Sequence, residues 1–178
     1  PMSLPHALLT SLAERPGSGS ELASRFDRSI GYFWQATHQQ IYRELARLEA
    51  NGWVRSVAIE GARGRKRRYD LLPQGLEELA RWTAEPMDPP AIRDELMVRL
   101  RAESVIGPSA LAQRLTEMLS LHLQKLAAYQ AIERRDFVSS SSDRRRRLQH
   151  LVLKAGVDFE RQRIAFYEDA LSILEDDG

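Results

Sequence analysis

The chain has no cysteine, which excludes a disulfide framework, a thiolate metal site and a cysteine nucleophile. It also lacks an excess of either charge. Its 26 basic and 25 acidic side chains leave +1 at neutral pH, so net charge names no partner. Long apolar runs are missing, so no segment is expected to span a bilayer and none resembles the apolar core of a signal peptide. There is no glycine-rich phosphate loop, and no serine with a placed histidine partner. The Glu-x-x-His pairs that hold two metals in a helical bundle are absent too: Leu119 and Arg147 stand three residues before His122 and His150. No enzyme activity, cofactor or metal is therefore expected, and a reducing cytoplasm suits the composition.

With 178 residues, 43% hydrophobic and 29% charged, the chain reads as one globular domain or two small ones. The best boundary is "EPMDPP", Glu85–Pro90, with three prolines between two helical patterns. It predicts a domain over residues 1–85 and a second, all-helical one over residues 86–178. Residues 1–85 carry 12 basic and 10 acidic side chains, and residues 86–178 carry 14 and 15. The informative feature is local: Arg63, Arg65, Lys66, Arg67 and Arg68 cluster with no acid between Glu60 and Asp70.

In the first domain Leu4, Leu8 and Leu12 predict a helix that Pro16-Gly17 ends. Ser18 with Glu21 is a capping-box signature for a second helix, which turns Leu22 and Phe26 inward. "GYFW", Gly31–Trp34, reads as a short buried strand or an aromatic turn. Thr37 with Gln40 opens a third helix, and Asn51-Gly52 stops it. Val54 to Glu60 and Lys66 to Leu71 then form a hairpin around "GARG", and Pro73 opens a fourth helix.

The third helix carries the functional signal. With Ile41 at 0° on a helical wheel, Leu45 and Leu48 fall within about 40° of it, and Gln39, Arg43, Ala46 and Ala50 face roughly the opposite way. Glu44 and Glu49 lie on the flanks nearer the core, at about 300° and 80°. The outward strip is thus free of acids and offers Gln39 and Arg43, each able to make paired hydrogen bonds to a base edge. A solvated helix face is the alternative, and for this helix alone it is the better account. Two helices, a third of this kind and a basic hairpin in that order describe a winged helix-turn-helix, in which the third helix enters the major groove. The hairpin arginines would then hold phosphates or reach the neighbouring minor groove. Tyr42 has two uses, packing at the flank or donating to a phosphate. Gln40 divides between its cap and DNA, and His38 sits where backbone phosphate would pass.

These segments resemble the PadR family of bacterial transcriptional regulators. The resemblance rests on "ALLTSLAERPGSGSEL" (Ala7–Leu22), "HQQIYRELARLEANGWV" (His38–Val54) and "GRKRRYDLLPQGLEELARW" (Gly64–Trp82). It spans nearly all of the first 85 residues, and the helical tail is similar to that family's long-tail branch. The resemblance implies a homodimeric winged-helix repressor of an inverted-repeat operator in double-stranded DNA, with helices exchanged between subunits. It places DNA contacts at His38, Gln39, Gln40, Tyr42 and Arg43, and along the wing from Arg63 to Arg68. Ser20 stands where the family often has an aromatic residue. Some members respond to phenolic acids or bulky aromatic compounds, so an effector belongs to the expectation while its identity does not. A winged-helix protein-interaction scaffold that does not read DNA is the competing class.

Beyond the boundary, Ile92, Leu96 and Leu100 mark one helix, and a second starts near Pro108 at its first position. A last helix from Arg144 to Glu175 would be roughly 48 Å long, more than a small domain needs. Its Leu148, Leu151, Val152, Phe159, Phe166 and Ile173 are the expected self-association residues. "RRRR", Arg144–Arg147, opposes the helix dipole and so is not there for helix stability. A solvated face with ion pairs and an auxiliary phosphate contact both remain open for it. Trp82, Tyr129, Phe159, Phe166 and Tyr167 read as core or as an aromatic ligand pocket. His122 is expected to be a hydrogen-bonded core or interface residue.

Overall fold

The structure, a computed structural model, describes residues 4–28, 34–61, 66–89, 91, 93–138 and 143–176. The chain divides into two compact units, Pro1–Pro89 and Pro90–Gly178.

The first unit runs α1 (Leu4–Glu14), β1 (Gly17–Ser18), α2 (Gly19–Asp27), α3 (His38–Ala50), β2 (Val54–Ala58), β3 (Arg67–Leu71) and α4 (Pro73–Thr83). Both capping boxes form as the sequence predicts. Ser18 and Thr37 each accept the backbone N–H three residues on, and Glu21 and Gln40 reach back to the cap nitrogen. Asn51 caps α3, and Gly52 follows at φ 70°, which a side chain would resist. Pro73 sits in the first turn of α4, where its missing N–H has no helical partner to lose.

The sheet has three strands in the order β1-β3-β2, both pairings antiparallel. The sequence predicts only two of them. Gly17 and Ser18, read as the stop and cap between two helices, also pair with Tyr69 and Arg68. Leu8, Leu9, Leu12, Leu22, Phe26, Ile41, Leu45, Leu48 and Val54 are almost fully buried in one core. Burying each such side chain is worth roughly 1.5–3 kcal/mol, which fixes α3 against α1 and α2 along its apolar stripe. Trp34 is exposed rather than buried, and residues 31–33 of that stretch lie outside the described residues.

The second unit contains α5 (Glu95–Ile106), α6 (Leu111–Asp136) and α7 (Arg144–Leu174). Asp94 caps α5, which starts at Glu95; Ile92, expected to mark the same helix, lies outside the described residues. The start of α6 is corrected as well. Gly107, at φ 84°, ends α5, and Ser109 accepts from Leu111 N, which moves the first helical turn beyond Pro108. Leu96, Leu111, Leu115, Tyr167 and Ala170 form a small core. The buried His122 ring lies between α6 and α7, with Nδ1 2.5 Å from Oε2 of the buried Glu160. No helix among the described residues is long and apolar enough to cross a membrane.

Candidate nucleic-acid interface

The face of α3 predicted to look outward does so. His38, Gln39, Gln40, Tyr42 and Arg43 are all exposed, while Ile41 and Leu45 beneath them are fully buried. Glu44, on the flank, is buried and paired with Arg47 at 3.3 Å, so it adds no carboxylate to that face.

The five exposed residues separate by what their polar atoms already do. The side chains of Gln39, Tyr42 and Arg43 have no intramolecular hydrogen bond or ion pair among the described residues. Gln40 is engaged: its Oε1 accepts from Thr37 N at 2.8 Å and from Thr37 Oγ1 at 3.2 Å. Its amide hydrogens stay available. His38 Nε2 lies 2.9 Å from Asp27 Oδ2, a bond that joins the end of α2 to the start of α3. The Tyr42 ring packs on the backbone at Gly19, the flank packing expected of it, while the residue stays 45% exposed. A Cβ added to Gly19 would meet Tyr42 Cε1 at 2.4 Å, so only glycine allows this seat.

The wing candidates separate in the same way. Arg63 and Arg65 lie outside the described residues. Lys66 is exposed, and its backbone oxygen accepts from Ile59 N to close the hairpin. Arg67 donates from Nε to Ser56 Oγ at 2.6 Å and from Nη2 to Ser56 O at 3.0 Å. Ser56 in turn donates its N–H and hydroxyl to Glu49 Oε1, at 2.8 and 2.6 Å. These bonds hold the Glu49 carboxyl below its ordinary range, the Ser56 hydroxyl contributing most. Arg68 lies 3.2 Å from Asp70, which also faces Arg55 at 3.9 Å. Two of the predicted phosphate ligands therefore brace the base of the wing.

Sequence reading missed Gly19, Asp27, Glu49 and Ser56, whose roles depend on partners outside their own helix or strand. It also missed the tie that seats α4. His6 Nε2 lies 2.9 Å from Glu78 Oε1, and its ring stacks on Trp82 at 4.4 Å. Hydrogen bonds from Arg81 and then His6 lower the Glu78 carboxyl to about 2.

In the helical unit Leu148, Leu151, Val152, Phe159 and Ile173 are exposed, at 47 to 76%, and Phe166 is half-buried. Tyr129 and Tyr167 are buried between the helices while Phe159 points outward, so these three do not converge on one cavity.

A profile of the PadR-like transcriptional regulator family matches residues 8–81, and one described as the virulence activator alpha C-terminal region matches residues 92–175. A probable transcriptional regulator of Mycobacterium tuberculosis is 40% identical, over 98% of this chain and 99% of its own. The Vibrio cholerae virulence activator AphA superposes with a TM-score of 0.80 at 32% identity, over 97% of this chain and 98% of that one. Bacillus subtilis PadR, solved with operator DNA, superposes with a TM-score of 0.82 at 26% identity, over 98% and 100% of the two chains. The same protein, described as a negative transcriptional regulator, has also been solved with p-coumaric acid. Across nearly its whole length, then, the chain is built and spelled as these proteins are: it belongs to the PadR-like family of transcriptional regulators.

Proposed function

We propose that the chain is a cytoplasmic, homodimeric repressor that reads an inverted repeat in double-stranded DNA through α3. The observation that carries this reading is the exposed, acid-free face on which Gln39, Tyr42 and Arg43 hold uncommitted polar atoms. On a fold whose B. subtilis relative is solved on operator DNA, a helix with that face is the reader. Gln39 and Arg43 take base edges, Tyr42 gives its hydroxyl to a phosphate, and His38 and Gln40 flank the backbone where the helix begins. Arg63, Arg65 and Lys66 supply the wing's phosphate contacts, while Arg67 and Arg68 add positive charge from its base.

Residues 1–85 form the DNA-binding part and residues 86–178 the self-associating part. Leu148, Leu151, Val152, Phe159, Phe166 and Ile173 make the interface between copies. Their exposure supports this, because a soluble monomer seldom leaves so long an apolar stripe uncovered. Repression follows where the operator overlaps a promoter. A small aromatic acid releases the DNA, a reading supported by the p-coumaric acid complex of the B. subtilis relative.

Selection from random duplex DNA at physiological salt, with excess nonspecific competitor, tests the reading. Enrichment of an inverted repeat with half-sites about one helical turn apart is the expected result. A folded dimer that enriches nothing overturns it and favours the interaction scaffold.

A further inference from the structure

The two faces of the sheet are occupied differently. Ser56 and Arg67 lie on the side of α3, where they meet Glu49. Strand alternation therefore puts Arg55 of β2, and Arg68 and Asp70 of β3, on the other side. Arg55 and Asp70 are register partners there. A cleft of about 590 Å³ opens beside these three residues, within the first unit. The rest of its lining comes from the end of α1, the segment after it, the end of β3 and the start of α4. That lining is aliphatic and includes Leu12, Leu71 and Leu76. Leu76 is 56% exposed, so an apolar side chain is left facing the cleft without cover.

The charges at this cleft are unevenly matched. Asp70 lies between the two arginines, with Oδ2 3.9 Å from Arg55 Nε and Oδ1 3.2 Å from Arg68 Nη2. One carboxylate faces two guanidinium groups, which leaves one positive charge over. The Asp70 side chain is 22% exposed, whereas those of Arg55 and Arg68 are 66% and 57% exposed, so the surplus sits at the rim. Neither arginine side chain makes a hydrogen bond among the described residues. Their N–H donors are open to a second acceptor, and a carboxylate matches the guanidinium fork. An apolar floor with a few polar groups converging at one end is the pattern of a small-molecule site.

We infer that this cleft binds an aliphatic carboxylate, with its head between Arg55 and Arg68 and its chain over Leu12, Leu71 and Leu76. The site goes beyond the DNA reading and does not depend on it, since no residue of α3 takes part. A DNA phosphate would satisfy the arginines and leave Leu76 uncovered. An aromatic acid finds no ring to stack on, because no aromatic side chain lines the cleft among the described residues. The aliphatic acid matches both halves. Its head competes with Asp70 for Arg68, so occupancy alters a contact that braces the base of the wing.

Octanoate is the probe, added to the full chain at up to roughly 10 mM and followed by the NMR shifts of amide and guanidinium groups. Saturating shifts centred on Leu12, Arg55, Arg68 and Leu76 are expected, with a Kd of about 1 mM for a ligand of about ten non-hydrogen atoms. Octanol, which lacks the charge, and acetate, which lacks the chain, bind about tenfold more weakly or less. Arg55→Gln with Arg68→Gln weakens octanoate by about the same factor. Because Arg68 also faces Asp70, Leu76→Glu serves as a second variant: it sets a like charge in the cleft at an exposed position and expels the acid. No saturating shift at the cleft overturns the inference. So does equal binding of octanol, equal binding of p-coumarate at the same residues, or octanoate binding that survives in both folded variants. Shifts there with duplex DNA, or with an acetylated Leu-Leu-Asp peptide, and none with octanoate make the cleft a phosphate or protein surface and overturn it too. Each of these outcomes leaves the DNA reading standing, since the duplex selection tests that separately.

Discussion

Glu49, in the last turn of α3, accepts two hydrogen bonds from Ser56 on β2, one from its N–H at 2.8 Å and one from its hydroxyl at 2.6 Å. Arg67 on β3 then donates two bonds to Ser56. The three residues tie α3 to both strands of the wing. Removing the hydroxyl by Ser56→Ala is expected to cost about 1 kcal/mol of stability and to weaken operator binding several-fold. Ser56→Thr, which keeps the hydroxyl, is expected to retain both. Thermal unfolding and DNA titration on the three proteins check this; equal affinity in Ser56→Ala would show that the wing is held by other means.

Within the proposed reading face of α3, uncommitted and committed residues should respond differently. Gln39→Ala and Arg43→Ala are expected to relax discrimination between operator and mismatched sites by about 1–3 kcal/mol where a bidentate base contact is lost. Lys66→Ala should weaken binding alike on all sequences and reduce the salt slope by about 0.9 for one lost phosphate contact. Titrations at several salt concentrations, on operator and scrambled duplexes, separate the two outcomes.

Acid should loosen the first unit through Glu78. Its carboxyl, held at about 2 by Arg81 and His6, titrates at an ordinary value near 4.5 once the chain unfolds. The unfolded state therefore binds the proton first as pH falls. The stabilisation is complete above about 4.5 and is lost on the way down to about 2. Glu78→Gln is expected to flatten the fall in stability across that window, as followed by denaturant unfolding at a series of pH values.

Gly75 opens a different prediction. A Cβ there would lie 2.3 Å from the backbone oxygen of Trp53, which cannot swing aside as a side chain would. Gly75→Ala should therefore push α4 from the sheet and destabilise the unit by more than about 1 kcal/mol, although alanine is the better helix former. Leu45→Ala, emptying the core beneath the exposed face of α3, should cost about 2–5 kcal/mol.

What the sequence made legible is what short-range chemistry decides. Both capping boxes, the glycine after α3, the proline at the head of α4 and the outward face of α3 follow from spacings of three or four residues. The strand β1 was not legible, because Gly17-Ser18 carries a helix-boundary signal that is also correct. Pro108 misled for a related reason: proline favours a helix's first position, but Gly107 and Ser109 on either side set the turn. The ties His6 to Glu78 and His122 to Glu160 join residues 72 and 38 positions apart. No local spacing encodes them, so only the packed helices reveal them. Arg67 and Arg68 read as phosphate ligands because composition records their charge and not the carbonyl and carboxylate already facing them.

The division of labour on α3 has a consequence for how such a regulator acquires new targets. Its start is fastened by the Thr37–Gln40 capping box and the His38–Asp27 bond, its base by the Ile41, Leu45 and Leu48 stripe, and its end by Glu49 on Ser56. Gln39 and Arg43 take part in none of these. Drift at those two positions leaves the scaffold intact, so under the proposed reading a duplicated copy changes its address on the chromosome by single substitutions and still folds.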